Sequence, residues 1–386
     1  MIFYGKAPMP FKKKTLFWSI ALLALGVTTW LTPLYKHRVH STKNRQDQPY
    51  DTIIIPFEAI KHHYPEGRKQ SIQGIVLHCP TIPCIFKTIS VLENRSVGCH
   101  YIIPEKTLGA LKKDAQHLLS IQNTVQEEER LSPVALNACR VIIQFKGALN
   151  EVPILQLAQD ETCVAQAGIG NWKDWPTGPE DLRINRPTIG IEFGNSARYD
   201  SNQDDLYRNS DQQTRVLIWL LKHLVAKHHL SGRDIVTHSD IAWNRAEDLY
   251  KPDPGPYFPY ETLARHQLGF APLAKDFPPL PKDYATNPAK IIAWVQTCFR
   301  IMGYAPCPST GVMDLNTLKI LRAYALHFFP ACAKYTPDYD WNPLIQSLLN
   351  HPLAPYFLTD SDSFKQEEGA RSFQESDFTG KKDAQK

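Results

Sequence analysis

The run Gly74-Ile75-Val76-Leu77-His78 indicates the fold class of the chain. It is a short apolar run, and a proline-containing segment ends it, so it predicts a buried core strand. Three further runs of the same kind, His100 to Ile103, Thr188 to Phe193 and Ile235 to His238, predict three more strands. Between the last two, Ser210 to Leu230 predicts an amphipathic helix. Strands that alternate with helices in this way indicate an α/β fold with helices packed on a central sheet.

The size and charge of the chain narrow the possible functions. It has 386 residues, of which 43% are hydrophobic and 21% are charged, which excludes a wholly disordered or fibrous protein. This length has room for two or three folded units. The 43 Lys and Arg residues against 39 Asp and Glu give a net charge of only +4. We therefore expect no nucleic-acid partner.

An uncharged run of 21 residues, Thr15 to Tyr35, follows three lysines near the N-terminus. About 20 residues suffice for a helix to cross the hydrocarbon core of a membrane. The alternative is a cleaved secretory signal, but such a signal ends in small residues, whereas this run ends in Trp30, Leu31 and Pro33. The pattern favours a membrane anchor at residues 15–35, with the bulk of the chain exported.

The eight cysteines are even in number, which is compatible with export. They form no CxxC pair, which argues against a structural zinc knuckle. Disulfides could join Cys79 to Cys84, and Cys298 to Cys307 or Cys332. Buried free thiols are an equally good interpretation.

Three potential metal ligands lie where a scaffold can direct side chains. His78 and His238 end predicted strands, and Asp253 lies in the run Asp253-Pro254-Gly255-Pro256. Two imidazoles and one carboxylate leave the fourth tetrahedral position of zinc open, as hydrolytic catalysis requires. Taken singly, each residue has an ordinary structural explanation, so only their combination points to a site.

The order of the motifs between residues 70 and 270 resembles that of a known family, the type 2 N-acetylmuramoyl-L-alanine amidases. These are zinc enzymes that share a fold, a central mixed sheet flanked by helices, with peptidoglycan recognition proteins. The motifs are Gly74 to His78, Cys99-His100-Tyr101, Ala167-Gly168-Ile169-Gly170-Asn171-Trp172, Ile189-Gly190-Ile191-Glu192, His238-Ser239-Asp240-Ile241-Ala242 and Asp253 to Pro256. A helical unit from about Ala289 to Phe329 resembles a small, three-helix peptidoglycan-binding domain.

The resemblance implies roles for particular residues. His78, His238 and Asp253 would hold one zinc ion per chain. Glu192 matches the active-site glutamate of the family and would act as a general acid and base. Lys251 matches the lysine that faces the substrate carbonyl, where it could meet the oxyanion.

Substrate contacts are less sharply implied by the resemblance. His100, Asn195 and Trp172 lie in or beside family motifs and are candidates to line the cleft, although His100 could equally be structural. The chain departs from the family at Gln166, where a histidine is common. The substrate contacts near Gln166 are therefore expected to differ.

The expected function is hydrolysis of the amide bond between N-acetylmuramic acid and L-alanine in peptidoglycan or its fragments. The alternative is a non-catalytic peptidoglycan-binding or recognition protein. We expect a monomer in the cell envelope, anchored in the inner membrane with its catalytic domain in the periplasm, or secreted if the signal is cleaved. The expected segments are a cytoplasmic tail (1–14), an anchor or signal (15–35), a linker (36–60), a zinc amidase domain (61–270) with a surface insertion near 105–140, a proline-rich linker (271–287), a peptidoglycan-binding-like helical domain (288–350) and a disordered tail (351–386).

Overall fold

The computed structural model describes one compact unit that falls within Ser41–Lys386. The predicted anchor at 15–35 and the predicted tail at 351–386 lie outside the described residues. Among the residues that are described, no helix is both long and apolar enough to cross a membrane. The described residues are 50–55, 71–80, 82–168, 170–173, 175, 184–194, 210–245, 251–255, 257–269, 278–279, 281 and 287–328.

Six strands form a single sheet in the order β1-β4-β3-β5-β2-β6. Neighbouring strands are parallel except for β3 and β4, which run antiparallel. The sheet is therefore mixed, and the predicted α/β class is confirmed. The strands are β1 (Thr52–Ile54), β2 (Gly74–His78), β3 (Tyr101–Ile103), β4 (Ile154–Gln156), β5 (Thr188–Phe193) and β6 (Ile235–Thr237).

The helices of the described residues follow the apolar periodicity of the sequence. The helix predicted from Ser210 forms with Ser210 as its N-cap, because the serine hydroxyl accepts a hydrogen bond from Gln213 N. The helices are α1 (Ile85–Asn94), α2 (Leu108–Ile121), α3 (Pro133–Gln144), α4 (Asp211–His228), α5 (His238–Ile241), α6 (Tyr260–Arg265), α7 (Pro288–Met302) and α8 (Leu315–Phe328).

Helices cover both faces of the sheet. Neighbouring residues of one strand point to opposite faces, so a single strand contributes to both cores. Ile102 packs on one side with α1, α2 and α3, while Tyr101 and Ile103 pack on the other with α4 and α6. The helices α2 and α3 fall within the segment that the sequence suggested as a surface insertion near 105–140. Its helical content is as expected, but it is not a surface addition, since Leu111 and Ala138 are fully or almost fully buried in the main core.

The C-terminal helices α7 and α8 pack directly against the sheet unit. They share one hydrophobic cluster with Val76 of β2, Val236 of β6 and Trp172. Gly303, just after α7, has φ of +120°, and a Cβ there would lie 2.7 Å from the Trp172 ring. Only glycine therefore allows this close approach. The described part of the predicted three-helix unit holds α7 and α8, and residues 329–350 of that unit lie outside the described residues.

The proposed disulfides are not formed between the described cysteines. Cys84, Cys298 and Cys307 are free thiols, so neither Cys79–Cys84 nor Cys298–Cys307 is bonded. Cys332 lies outside the described residues. Burial raises the pKa of Cys298 to about 12, which makes it a poor nucleophile and favours the interpretation as a buried apolar group.

Candidate metal centre

The candidate site lies at the carboxyl ends of three adjacent parallel strands. His78 is the last residue of β2, His238 directly follows β6, and Glu192 lies opposite His78 in the register of β5. Carboxyl ends of neighbouring parallel strands meet at one edge of a sheet, where ligands commonly bind. The strand topology thus brings together residues as far apart as His78 and His238, which are separated by 160 positions.

Asp253 joins the two histidines from a loop. Its carbonyl oxygen accepts a hydrogen bond from Ser239 N at 3.0 Å, which ties this loop to α5. Its Oδ2 atom lies 3.1 Å from His238 Nδ1 and 3.3 Å from His78 Nδ1. The two Nδ1 atoms are 3.0 Å apart. Three donor atoms therefore form a nearly equilateral triangle.

This triangle fits a zinc ion. Zinc bonds of about 2.0–2.1 Å place the ligands of a tetrahedral site about 3.3 Å from one another, close to the observed edges of 3.0–3.3 Å. His78, His238 and Asp253 also make up the only group of three or more potential ligands found among the described residues. The donor set, two imidazoles and one carboxylate, is that of hydrolytic zinc sites with an open position.

The hydrogen bonds around Gln166 determine which nitrogen of His78 faces the triangle. Thr188 Oγ1 donates to the carbonyl oxygen of Ile184, so the hydroxyl accepts from Gln166 Nε2, at 2.7 Å. The amide oxygen of Gln166 then lies 2.5 Å from His78 Nε2 and accepts its proton. Because a neutral imidazole carries one proton, the lone pair of His78 is on Nδ1. The nitrogen that faces the other two ligands is thus the one free to bind a metal.

The protonation states of the other two ligands also suit a cation. Burial lowers the pKa of His238 to about 4, which keeps this imidazole neutral near neutral pH. Burial opposes ionisation of Asp253, but His238 and His78 outweigh it and hold the pKa of Asp253 far below its usual value. Burial likewise opposes a charge on His78, but Asp253 and Glu192 raise its pKa. A bound cation would compete with a proton for His78.

Glu192 is placed as a proton carrier would be. Its Oε2 atom is buried and has no hydrogen-bond partner within the described part of the chain. Burial raises the pKa of Glu192 to about 7, although His78 opposes this shift, and the charge of Asp253 adds a smaller increase. A carboxyl group with this pKa can both accept and donate a proton near neutral pH.

The other predicted site residues are placed differently. Lys251 is exposed, two residues before Asp253, and Asn195 lies outside the described residues. His100 and Trp172 are fully buried. Both ring nitrogens of His100 are used inside the fold, since Nδ1 accepts from Gly190 N and Nε2 donates to the carbonyl oxygen of Thr162, both at 3.0 Å.

The ring of Trp172 lies in the core under the C-terminal helices. It packs edge-on against Tyr304, with ring centroids 5.1 Å apart. Neither Trp172 nor His100 exposes a surface that a ligand could contact in this structure, and this burial favours structural roles for both.

Sequence comparison decides the family. A family model described as N-acetylmuramoyl-L-alanine amidase matches residues 59–256, just over half of the chain. The chain belongs to this family. It is a peptidoglycan amidase, and the matched range holds all three candidate ligands and Glu192. The amidase is also 27% identical over 205 residues to the N-acetylmuramoyl-L-alanine amidase AmiD of Escherichia coli K12, a match that covers 51% of this chain and 67% of that protein.

Two solved structures are similar to about three quarters of the amidase chain. AmiD from E. coli, in complex with anhydro-N-acetylmuramic acid-L-Ala-D-gamma-Glu-L-Lys, has a TM-score of 0.45 at 20% identity and covers 75% of this chain and 91% of its own. AmpDh3 from Pseudomonas aeruginosa, in complex with an anhydromuramic pentapeptide, has a TM-score of 0.45 at 22% identity, with 76% and 94% covered.

The sequence did not predict the hydrogen bonds that Gln166 and Asp240 make in the amidase. Gln166 was noted only as a departure from the family pattern, whereas the structure bonds it to His78. Asp240 lies inside a family motif, and its carboxylate contacts Tyr304 and His327 from the C-terminal helices. The Ser-Asp pair directly after His238 was the available signal, because an acidic residue three positions after Thr237 completes a capping box.

Proposed function

We propose that this amidase is zinc-dependent and that it hydrolyses the bond between the lactyl group of N-acetylmuramic acid and the L-alanine of the stem peptide. Family membership supports the substrate class. The observation that carries the metal dependence is the triangle of donor atoms from His78, His238 and Asp253, with edges of 3.0–3.3 Å. Zinc held there would supply a Lewis acid that polarises the amide carbonyl and activates water.

The residues of the chain supply the proton transfers in this proposal. Glu192, with its pKa raised to about 7, takes a proton from the attacking water and delivers it to the departing amine of L-alanine. Lys251 is exposed beside the ligand loop and offers a positive charge to the oxyanion that forms at the scissile carbonyl. Gln166 holds His78 in the tautomer that presents Nδ1.

A non-catalytic peptidoglycan-binding protein is the competing proposal, and the site argues against it. A protein that only binds wall fragments needs neither a complete ligand triangle nor a carboxyl group with a raised pKa beside it. Here three donor atoms lie within 4.8 Å of one another, and Glu192 lies opposite one of the donors, His78, in the strand register. Such perturbed groups beside a possible metal site are typical of catalysis.

Mass spectrometry of digested muropeptides tests this proposal. The zinc-loaded full-length protein would be incubated with purified sacculi in one reaction and with a soluble anhydromuramyl peptide in another. Release of free stem peptides with an N-terminal L-alanine, from either substrate, supports the proposed bond. Cleavage within the peptide or glycan, or binding without any new amine in both reactions, contradicts it.

The cellular placement belongs to the proposal as well. We propose that residues 15–35 anchor the chain in the inner membrane, that the amidase acts in the periplasm as a monomer, and that residues 288–350 aid its contact with the wall. The basis is the sequence pattern alone. Fractionation of cells that express the full-length protein tests the anchor, since recovery in the soluble periplasmic fraction would indicate signal cleavage instead.

A further inference from the structure

Asp240 is a fully buried carboxylate next to the proposed zinc ligand His238. It is the third residue of α5, the four-residue helix that begins at His238. Its Oδ2 atom accepts hydrogen bonds from the backbone N and the hydroxyl of Thr237, at 2.9 and 2.7 Å. Asp240 N donates in turn to Thr237 Oγ1 at 3.4 Å, and this bond together with that from Thr237 N forms a capping box that fixes the backbone immediately before the ligand.

The same carboxylate is held from the other side by the C-terminal helices. Tyr304, two residues after α7, donates its hydroxyl proton to Asp240 Oδ1 at 2.6 Å. His327, near the end of α8, donates from Nδ1 to Asp240 Oδ2 at 2.9 Å. These two residues are 64 and 87 positions away from Asp240 along the chain. Among the described residues, they supply two of the four hydrogen bonds that the carboxylate receives.

The C-terminal helices are fixed well enough to position Asp240. Tyr304 packs against Trp172 and Phe299, with ring centroids 5.1 and 5.9 Å apart. Lys173 N donates to the carbonyl oxygen of Gly303 at 2.7 Å. His327 stacks on Phe328, and its ring lies 4.5 Å from that of Tyr260. Both donors to Asp240 therefore belong to packed side chains with little freedom to move.

Helix α5 is too short to hold its own conformation. A single turn of helix is unstable by itself, so its geometry depends on the contacts around it. A buried carboxylate that loses a donor must rotate, admit water or take up a proton, because an unsatisfied buried charge is costly. Any of these changes would shift Thr237 and with it His238, whose Nδ1 atom must stay within about 3 Å of two other ligands.

We infer that Tyr304 and His327 of the C-terminal helices are positioning residues for the zinc ligand His238, and that they act through the carboxylate of Asp240. The inference rests on the proposed zinc site. It assigns the C-terminal helical unit a role in the metal centre itself, separate from any contact with the wall. It concerns two residues that lie outside the range matched by the family model, which ends at residue 256.

The first test removes one hydroxyl group. In full-length Tyr304→Phe the aromatic packing is kept, but Asp240 Oδ1 loses its donor. We expect zinc affinity, measured by competition with a chelator, to fall about tenfold. We also expect kcat to fall while KM changes less than twofold, and the visible spectrum of the cobalt-substituted protein to change. Tyr324→Phe is the matched control, because it removes the hydroxyl of another buried tyrosine of the C-terminal helices, whereas Tyr304 is the tyrosine that donates to Asp240.

The second test uses a pair of variants at His327. Leucine removes the donor, whereas asparagine can place an amide N–H near the position of Nδ1. We expect His327→Leu to weaken zinc binding about tenfold and His327→Asn to restore most of it. This rescue separates positioning from packing, since asparagine fills the space less well than leucine.

Each outcome has a clear meaning. If Tyr304→Phe and His327→Leu lower the unfolding temperature but leave zinc affinity, cobalt spectrum and kcat unchanged, the contacts are only structural and the inference is wrong. The inference is also wrong if His327→Asn is no better than His327→Leu. If the wild-type protein binds no zinc, the proposed function fails first and the inference fails with it, so the zinc titration of the wild type distinguishes the two.

Discussion

The side-chain oxygen of Gln166 accepts a hydrogen bond from Nε2 of His78, and this bond directs the other nitrogen of that histidine towards His238 and Asp253. Gln166 is itself held at both ends, because its backbone N donates to Asn185 Oδ1 at 3.0 Å and its side-chain amide donates to Thr188. Gln166 departs from the common family pattern, and its amide oxygen accepts the second N–H of His78. In metal sites, a carboxylate or a backbone carbonyl usually accepts this proton from the histidine.

Replacing Gln166 with leucine tests this task. Gln166→Leu removes the acceptor from His78 Nε2, so the ring loses its fixed tautomer and orientation. We expect zinc affinity to fall about 10- to 100-fold. Gln166→Glu keeps an acceptor at this position and should bind zinc at least ten times more tightly than the leucine variant.

Gln156→Leu is the matched control for the leucine substitution. Gln156 ends β4, away from the ligand triangle, and its side-chain amide donates to the hydroxyl of Tyr101 and to the carbonyl oxygen of Ala158. Its loss should leave zinc affinity unchanged. Equal zinc affinity in wild type and Gln166→Leu would contradict the role given to Gln166.

Glu192 should matter for catalysis but not for zinc content. Glu192→Gln keeps the size of the side chain and removes its ability to carry a proton in the reaction. We expect kcat to fall about 10²- to 10⁴-fold while the zinc content stays at that of the wild type. Muropeptide release by the zinc-loaded variant, measured as new free amine, gives the result. Activity within threefold of wild type would exclude Glu192 as the proton carrier.

Lys251 should act on the transition state rather than on binding. Lys251→Met removes the charge that we propose to meet the oxyanion, so kcat should fall about 10²-fold with little change in KM. Lys113→Met, at an exposed position on α2, is the control and should retain full activity. A rise in KM with unchanged kcat would instead assign Lys251 to ground-state binding.

The buried carboxylate of Asp160, outside the candidate metal centre, should contribute to stability in a pH-dependent way. It accepts hydrogen bonds from Tyr101, Lys227 and His228 at 2.5, 2.6 and 2.8 Å. Burial opposes its ionisation, but Lys227, Tyr101 and His228 outweigh burial and hold its pKa below the ordinary 3.8. Its contribution is therefore present above about pH 4 and lost as the pH falls below that value.

Asp160→Asn should lower the free energy of unfolding at pH 7 by about 3 kcal/mol and by less at pH 3. Urea unfolding at the two pH values measures this difference. Asp114→Asn breaks an ion pair with Lys106 whose side chains are 35% and 48% exposed, and should cost only about 0.5 kcal/mol. Equal costs for the two variants at pH 7 would show that Asp160 is not a stabilising centre.

The elements of the fold could be predicted from sequence because their signals are local. The apolar run before His78 and the capped periodicity after Ser210 each determine one element, and both form where they were expected. His78 ends β2 as predicted, whereas the strand predicted over Ile235 to His238 ends at Thr237 and His238 begins α5. Residues 105–140 could be predicted only in part. Their helices follow from local sequence, whereas their packing into the core depends on partners that are distant along the chain.

The supporting contacts of the site could not be predicted in this way. Gln166 meets His78 across 88 positions, and His327 meets Asp240 across 87. No periodicity connects residues at such separations. Residue type also cannot distinguish a cleft from a core, which is why Trp172 and His100 were candidates for substrate contact although both are fully buried.

The central claim is that His78, His238 and Asp253 bind one zinc ion. Calorimetric titration of the metal-free full-length protein with zinc tests it most closely, together with metal analysis of the dialysed protein. The ligand triangle predicts about one tightly bound zinc ion per chain. It also predicts that binding is lost in His78→Ala and in Asp253→Ala, with the fold retained. A wild-type protein that binds no stoichiometric zinc, or alanine variants that bind it as tightly as wild type, would contradict the account.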